Sequence, residues 1–189
     1  MLTHCGTKEL YTKRLYLRAF RFSDDEDMLQ YWVSDPKIQF MYSEPVYTTK
    51  EEVRSLLEQY VASYQKDDYY RWAIIEQESG SCVGQIAFFL VDSKNHFCEI
   101  EYCIGSQFQR KGFATEATKA VIDFAFQQIN VHKVQICHKE INLPSQGVIQ
   151  KCGFTYEGTL RDYFFMDGNY VSRLYYSMLR SEWEALQGQ

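Results

Sequence analysis

With 189 residues the chain is long enough to bury a sizeable core and reads most simply as a single domain spanning 1–189. Apolar residues make up 46% and aromatics 16%, with 3 prolines and no low-complexity stretch, which excludes a disordered chain. Twenty Lys and Arg against 25 Asp and Glu give a net charge of −5, which argues against a nucleic-acid surface. No apolar run approaches the roughly 18 residues of a membrane span, and Met1-Leu-Thr-His-Cys-Gly6 lacks the basic-then-apolar order of a secretion signal. The cytoplasm is therefore the expected location.

In chain order, Arg14-Leu-Tyr-Leu-Arg-Ala-Phe20 alternates and predicts a first strand. Ser23-Asp-Asp-Glu26 has capping-box spacing and should open a helix that Asp35-Pro36 ends. Thr48-Thr-Lys-Glu-Glu52 begins another, with Val53, Leu56, Leu57, Tyr60, Val61 and Tyr64 on one face, running to about Lys66. Residues 70–76, 82–91 and 97–104 are strand-like and separated by short turns, which predicts an antiparallel meander. The run Gln109-Arg-Lys-Gly-Phe-Ala114 follows directly. Gly112 lets the backbone approach an anion, Ala114 is too small to obstruct it, and the N–H groups of the next helix converge on the same spot. Lys133 to His138 is another strand, so strand, helix and strand predict a right-handed parallel crossover. Asn142 is a good N-cap for a short helix with Pro144 in its first turn. Residues 154–165 and 169–179 flank the turn pair Asp167-Gly168 and form a hairpin.

The six cysteines show no Cys-x-x-Cys pair and read as buried thiols. His132 and His138 lack any partner pattern, and no metal site is indicated. Two carboxylates stand out. Strand periodicity puts Glu99, Glu101 and Cys103 on one face of the third meander strand, the acids about 6–7 Å apart, with Cys98, Ile100, Tyr102 and Ile104 on the other. Burial and mutual repulsion would raise their pKa values, as a general base requires; pairing with Lys or Arg is the competing explanation.

The element order and four motifs in register resemble the GNAT superfamily of acetyl-coenzyme A dependent N-acetyltransferases, in the branch of the ribosomal-protein N-terminal acetyltransferases. The motifs are Gln109-Arg-Lys-Gly-Phe-Ala114, Asn142-x-x-Ser145, Lys151-Cys-Gly-Phe154, and the stretch from Phe154-x-x-Glu-Gly158 through Asp167-Gly-Asn to Tyr175-Tyr-Ser-Met-Leu179. The resemblance spans about residues 10 to 184. It implies a mixed α+β fold with a mostly antiparallel twisted sheet of about seven strands, whose central parallel pair splays to hold acetyl-coenzyme A. It also implies that Gln109, Arg110, Lys111, Gly112, Phe113 and Ala114 surround the diphosphate, that Ile104 bonds the pantetheine arm, and that Asn142 contacts the coenzyme. Ser145 would lie near the thioester as a donor to the leaving sulfur. Glu99 aligns with the family's acidic position, whereas Glu101 replaces a glycine, which leaves open which acid faces the acceptor. The implied acceptor is a primary amine, either a protein N-terminus or a small cationic amine, with the segment from Met28 to Tyr64 forming one wall. A catalytically silent coenzyme A binding module is the alternative on the same fold. The chain is expected as a monomer or homodimer without nucleic-acid or membrane partners. If the negative excess, Glu99 and Glu101 included, faces the cleft, a cationic acceptor is preferred.

Overall fold

The computed structural model describes residues 1–188. Eight strands form one open sheet: β1 (Leu10–Tyr11), β2 (Leu15–Arg18), β3 (Tyr70–Glu76), β4 (Cys82–Asp92), β5 (Phe97–Ile104), β6 (Lys133–Lys139), β7 (Thr155–Met166) and β8 (Asn169–Leu179). Their order is β1-β2-β3-β4-β5-β6-β8-β7, antiparallel throughout except for the β5–β6 pair. The strand beyond the expected seven is the two-residue β1, folded back on β2 by Thr12, whose N–H donates to the Leu15 carbonyl at 2.9 Å.

The meander, the parallel crossover and the final hairpin follow the sequence pattern. The first helical region does not. Ser23 caps nothing; a 3₁₀ turn at Phe22–Asp24 leads into α1 (Asp25–Met28) and a π turn at Leu29–Val33. The reason is Asp24, whose carboxylate is claimed by both terminal nitrogens of Arg18 (2.8 and 2.7 Å) and by the Arg21 N–H (2.8 Å). That helical stretch does stop at Val33, just before Asp35-Pro36, as expected, but the same pair also starts another helix. Asp35 caps a new helix, α2 (Pro36–Tyr42), accepting from the Lys37 N–H, with Pro36 in the first turn where its missing N–H is harmless. The Thr49–Glu52 capping box opens α3 (Lys50–Ser63), which stops three residues before Lys66. Then come α4 (Phe113–Phe124), extended by a π turn to Ile129, α5 (Leu143–Lys151) and α6 (Arg180–Gln187).

Each sheet face is covered. Leu15, Leu17, Trp72, Ile86 and Ile100 pack with Val121, Phe124 and Ile149 of α4 and α5. On the opposite face Ala73, Ile75 and Cys103 pack with Met28, Trp32, Val53 and Leu57 from the helices before β3. Glu99 and Glu101 share the second face. The Arg18–Asp24 pair is almost wholly buried, so Asp24→Ala is expected to cost about 3–5 kcal/mol by stranding a guanidinium in the core. Urea unfolding of the variant checks this.

Candidate active site

β5 and β6 pair in parallel only from Phe97–Lys133 to Ile100–Ile136. Beyond that point β5 stays bonded to β4 as far as Ile104–Gly84, and β6 to β8 as far as Lys139–Arg173. Each strand is held on its outer side only, so the pair opens into a V whose inner edges carry main-chain groups without a strand partner. Gly84 is needed there, because a Cβ would lie 2.3 Å from the Cys103 carbonyl oxygen. In β4, Phe89 is skipped by the register with β5, so this half-exposed ring bulges out of the ladder at the mouth of the V. A cavity of about 200 Å³ fills the opening. Met41, Tyr42 and Ser43 wall one side, Ile100, Glu101 and Tyr102 another, and Lys139, Asn142 and Ser145 the third.

At the N-terminus of α4, Gly112 has φ +84° and Arg110 φ +62°. Two left-handed residues in one turn coil the backbone so that amide N–H groups at the helix start face outward. The turn is braced from outside. Arg14 Nη1 donates to the Lys111 carbonyl at 2.8 Å, and Glu116 accepts from Arg14 Nε (2.7 Å), the Arg14 N–H (2.8 Å) and Thr12 Oγ1 (2.6 Å). No local pattern signals this clamp, because its halves lie about a hundred residues apart. Gln109 is exposed but folds its side-chain amide back to donate to the Ile104 carbonyl at 3.0 Å. Phe113 is buried in the core and can offer only its backbone. Lys111 stays half-exposed, its ammonium 5.0 Å from the Phe108 ring centre. Residues 104 to 114 thus divide into braces, Gln109 and Phe113, and outward-facing groups at 110–112 and 114.

The structure separates the two acids. Glu99 is buried, bonded to Arg173 Nη2 at 2.8 Å, and absent from the cavity wall. Burial raises its carboxyl despite the arginine. Glu101 lines the cavity, one oxygen held by Arg71 Nη2 at 2.6 Å. Arg71 is itself fixed by Gln85 (2.7 Å) and by the Tyr60 ring, 4.5 Å away. The acids do pair with arginines, but inside the protein rather than on a solvated face; a further carboxylate, Glu44, lies close enough to Glu101 for burial and that neighbouring charge to raise it.

Asn142 Oδ1 accepts from the Ser145 N–H at 3.2 Å, as an N-cap does, while its amide nitrogen makes no bond among the described residues. Ser145 Oγ lies 3.0 Å from the Tyr102 hydroxyl. Sequence reasoning missed Lys139. Its ammonium donates to the carbonyls of Phe40 (3.0 Å) and Met41 (2.6 Å) and to Ser43 Oγ (2.6 Å), tying the end of α2 across the V to β6. Burial pushes it down to about 8, against the pull of those oxygens on the charged form.

A splayed parallel pair, an anion-seeking helix start at one end and a small polar cavity at the other define a coenzyme A dependent acyltransferase. Residues 14–155 match the family described as "Acetyltransferase (GNAT) domain", and the chain belongs to that family. It is 30% identical over 174 residues, 92% of this chain and 97% of the other, to the uncharacterized N-acetyltransferase p20 of Bacillus licheniformis. A stretch of 105 residues, 56% of this chain and 57% of the relative, is 36% identical to the putative ribosomal N-acetyltransferase YdaF of Bacillus subtilis. The crystal structure of spermidine N-acetyltransferase from Vibrio cholerae, in complex with CoA and spermine, shares the fold at a TM-score of 0.78 and 22% identity, covering 92% of this chain and 99% of that one. The protein is thus an acetyl-coenzyme A dependent N-acetyltransferase.

Gly112→Trp should weaken coenzyme A binding at least tenfold, about 1.4 kcal/mol. A Cβ at φ +84° is strained and would press within 3.3 Å of Arg14 Nη2. Calorimetry on protein whose unfolding curve remains cooperative checks this. For Lys139→Met, the acceptor KM should rise about tenfold while coenzyme A affinity stays unchanged, because only the α2 wall is released. In the wild type the charged tether is lost as pH rises through about 8. Acceptor KM, expressed per neutral amine, therefore climbs above that pH and stays flat in the variant.

Proposed function

We propose that the acceptor is the α-amine of a protein N-terminus, and that Glu101 receives the amine and removes its proton. The balance of charge around the cavity carries this reading. Glu101 is the one carboxylate among the lining residues, against Lys139 and Arg173. A polyamine would bring several ammonium groups to a wall with one acid and two cations. An N-terminal amine brings a single charge. It also titrates near 8, so an appreciable fraction is neutral at physiological pH and a weak base suffices. The similarity to a putative ribosomal N-acetyltransferase supports the same acceptor class.

In this reading acetyl-coenzyme A supplies the activated acyl carbon. The outward amides at 110–114 bind the diphosphate, with Arg110 and Lys111 adding charge. The open inner edge of β5 up to Ile104 receives the amide arm, and the free Asn142 amide donates to it. Glu101 keeps one oxygen on Arg71 and has the other for the acceptor nitrogen. Tyr42, Phe89 and Phe164, all lining the cavity, exclude water around it. Glu99 acts at a distance, holding Arg173 in place.

A turnover screen over N-terminal peptides, spermidine and aminoglycosides tests the acceptor, with kcat/KM expected highest for a peptide. A preferred polyamine would overturn the reading. Glu101→Gln should lower kcat by about 10²-fold and flatten the rise of kcat with pH. Glu99→Gln should lower stability and leave the pH profile in place.

A further inference from the structure

We infer that Tyr102 is a positioning residue for Ser145, turning the serine O–H into the cavity as a donor toward the sulfur that leaves in acetyl transfer. The inference rests on the proposal that transfer occurs in this cavity, but not on the identity of the acceptor.

Two hydroxyls 3.0 Å apart share one hydrogen bond, and chemistry decides which donates. A phenol titrates near 10 and is a far stronger acid than an alkanol, so Tyr102 donates and the serine oxygen accepts. Burial raises the Tyr102 phenol, so it keeps the proton that it donates throughout the working range. Ser145 then has one proton left to place. Its own backbone N–H already serves Asn142 Oδ1, and its Oγ makes no other bond among the described residues. The side chain lines the cavity, and its O–H is therefore available to whatever occupies the end of the V next to Asn142. Accepting from a phenol polarises the serine O–H and makes it a better donor, since bonds in a chain reinforce one another. Ser145 also sits in the first turn of α5, where the aligned peptides favour negative charge.

The chemistry balances without a proton leaving either hydroxyl. The bond from the acceptor nitrogen to the acetyl carbon forms and the carbon–sulfur bond breaks, its electron pair staying on sulfur. The sulfur departs as a thiolate that accepts a hydrogen bond from Ser145. The amine proton leaves by way of Glu101 to solvent. Tyr102 touches neither reacting atom.

The test uses coenzyme A itself, whose free thiol reports on the donor without turnover. Thiolate absorbance of the protein–coenzyme A complex is titrated against pH in the wild type, Tyr102→Phe, Ser145→Ala and the double variant. The bound thiol is expected to titrate lowest in the wild type, and each single change should raise its midpoint by about half a unit or more. The double variant should match Ser145→Ala, because Tyr102 acts only through the serine. Turnover should follow, with kcat down about three- to tenfold in Tyr102→Phe and acetyl-coenzyme A KM unchanged. An unaltered thiol midpoint in Tyr102→Phe, or a Tyr102→Phe effect that persists in the Ser145→Ala background, overturns the proposal. Should Tyr102→Phe fail to fold, the Ser145→Ala and Ser145→Thr titrations decide: a midpoint equal to wild type in Ser145→Ala overturns it, and a midpoint restored by threonine supports it. The thiol titrations involve no acceptor, so they stand or fall apart from the N-terminal assignment.

Discussion

The architecture depends on one interruption in the hydrogen bonding. After Ile100 and Ile136 the two parallel strands are each committed to an outer neighbour, and no rearrangement can close the gap without breaking the β4–β5 or β6–β8 ladder. Backbone groups left without a partner are costly when buried, so the V is a standing demand for donors and acceptors that an amide-bearing ligand can meet. Glycines keep the outer ladders tight. Gly84 lies against the Cys103 carbonyl, and a Cβ on Gly105 would sit 2.8 Å from the Tyr31 carbonyl oxygen. The second contact links the end of β5 to the π turn at Leu29–Val33, so the helical region before β3 is packed directly against the open end of β5.

What the sequence disclosed is what depends on neighbours along the chain. The meander, the glycine turn into α4, the Asn142 cap and the Asp167-Gly168 hairpin, with φ +48° and +77°, are local events that period and turn chemistry identify. The errors came where a long-range partner overrode a local signal. Ser23-x-x-Glu26 has the spacing of a cap, yet Asp24 is taken by Arg18 from the preceding strand, and the chain enters its helix by a different route. Asp35-Pro36 suits either a helix end or a helix start, and here it is both, with the first helical stretch ending at Val33 and α2 starting at Pro36. Lys139 could not have been singled out, because its significance lies in carbonyls nearly a hundred residues away.

The carboxylates show the same limit at the candidate site. Period two correctly puts Glu99 and Glu101 on one face, but it cannot say that Arg173 waits beside one and Arg71 beside the other. Those partners place a positive charge against each of the two acids. They also divide two acids that look equivalent in sequence. Glu99 is enclosed with Arg173, which is in turn sandwiched between the rings of Tyr163 and Tyr175 at 5.1 and 4.6 Å. Glu101 remains at the cavity wall.

An arginine beside a general base has a cost and a benefit. The cost is that Arg71 occupies one of the two carboxylate oxygens of Glu101 and leaves only the other for an acceptor. The benefit is a fixed orientation, which matters because proton transfer requires the acceptor oxygen within hydrogen-bond reach of the amine. A carboxylate is a weak base, so the arrangement suits an acceptor ammonium that is a comparatively strong acid. A lysine or polyamine ammonium titrates above 10 and needs a strong base, whereas an N-terminal ammonium titrates near 8 and loses its proton to a weak one. The Arg71–Glu101 pair and the N-terminal acceptor are thus consistent with each other: a carboxylate clamped in this way is suited to an amine that is already partly neutral.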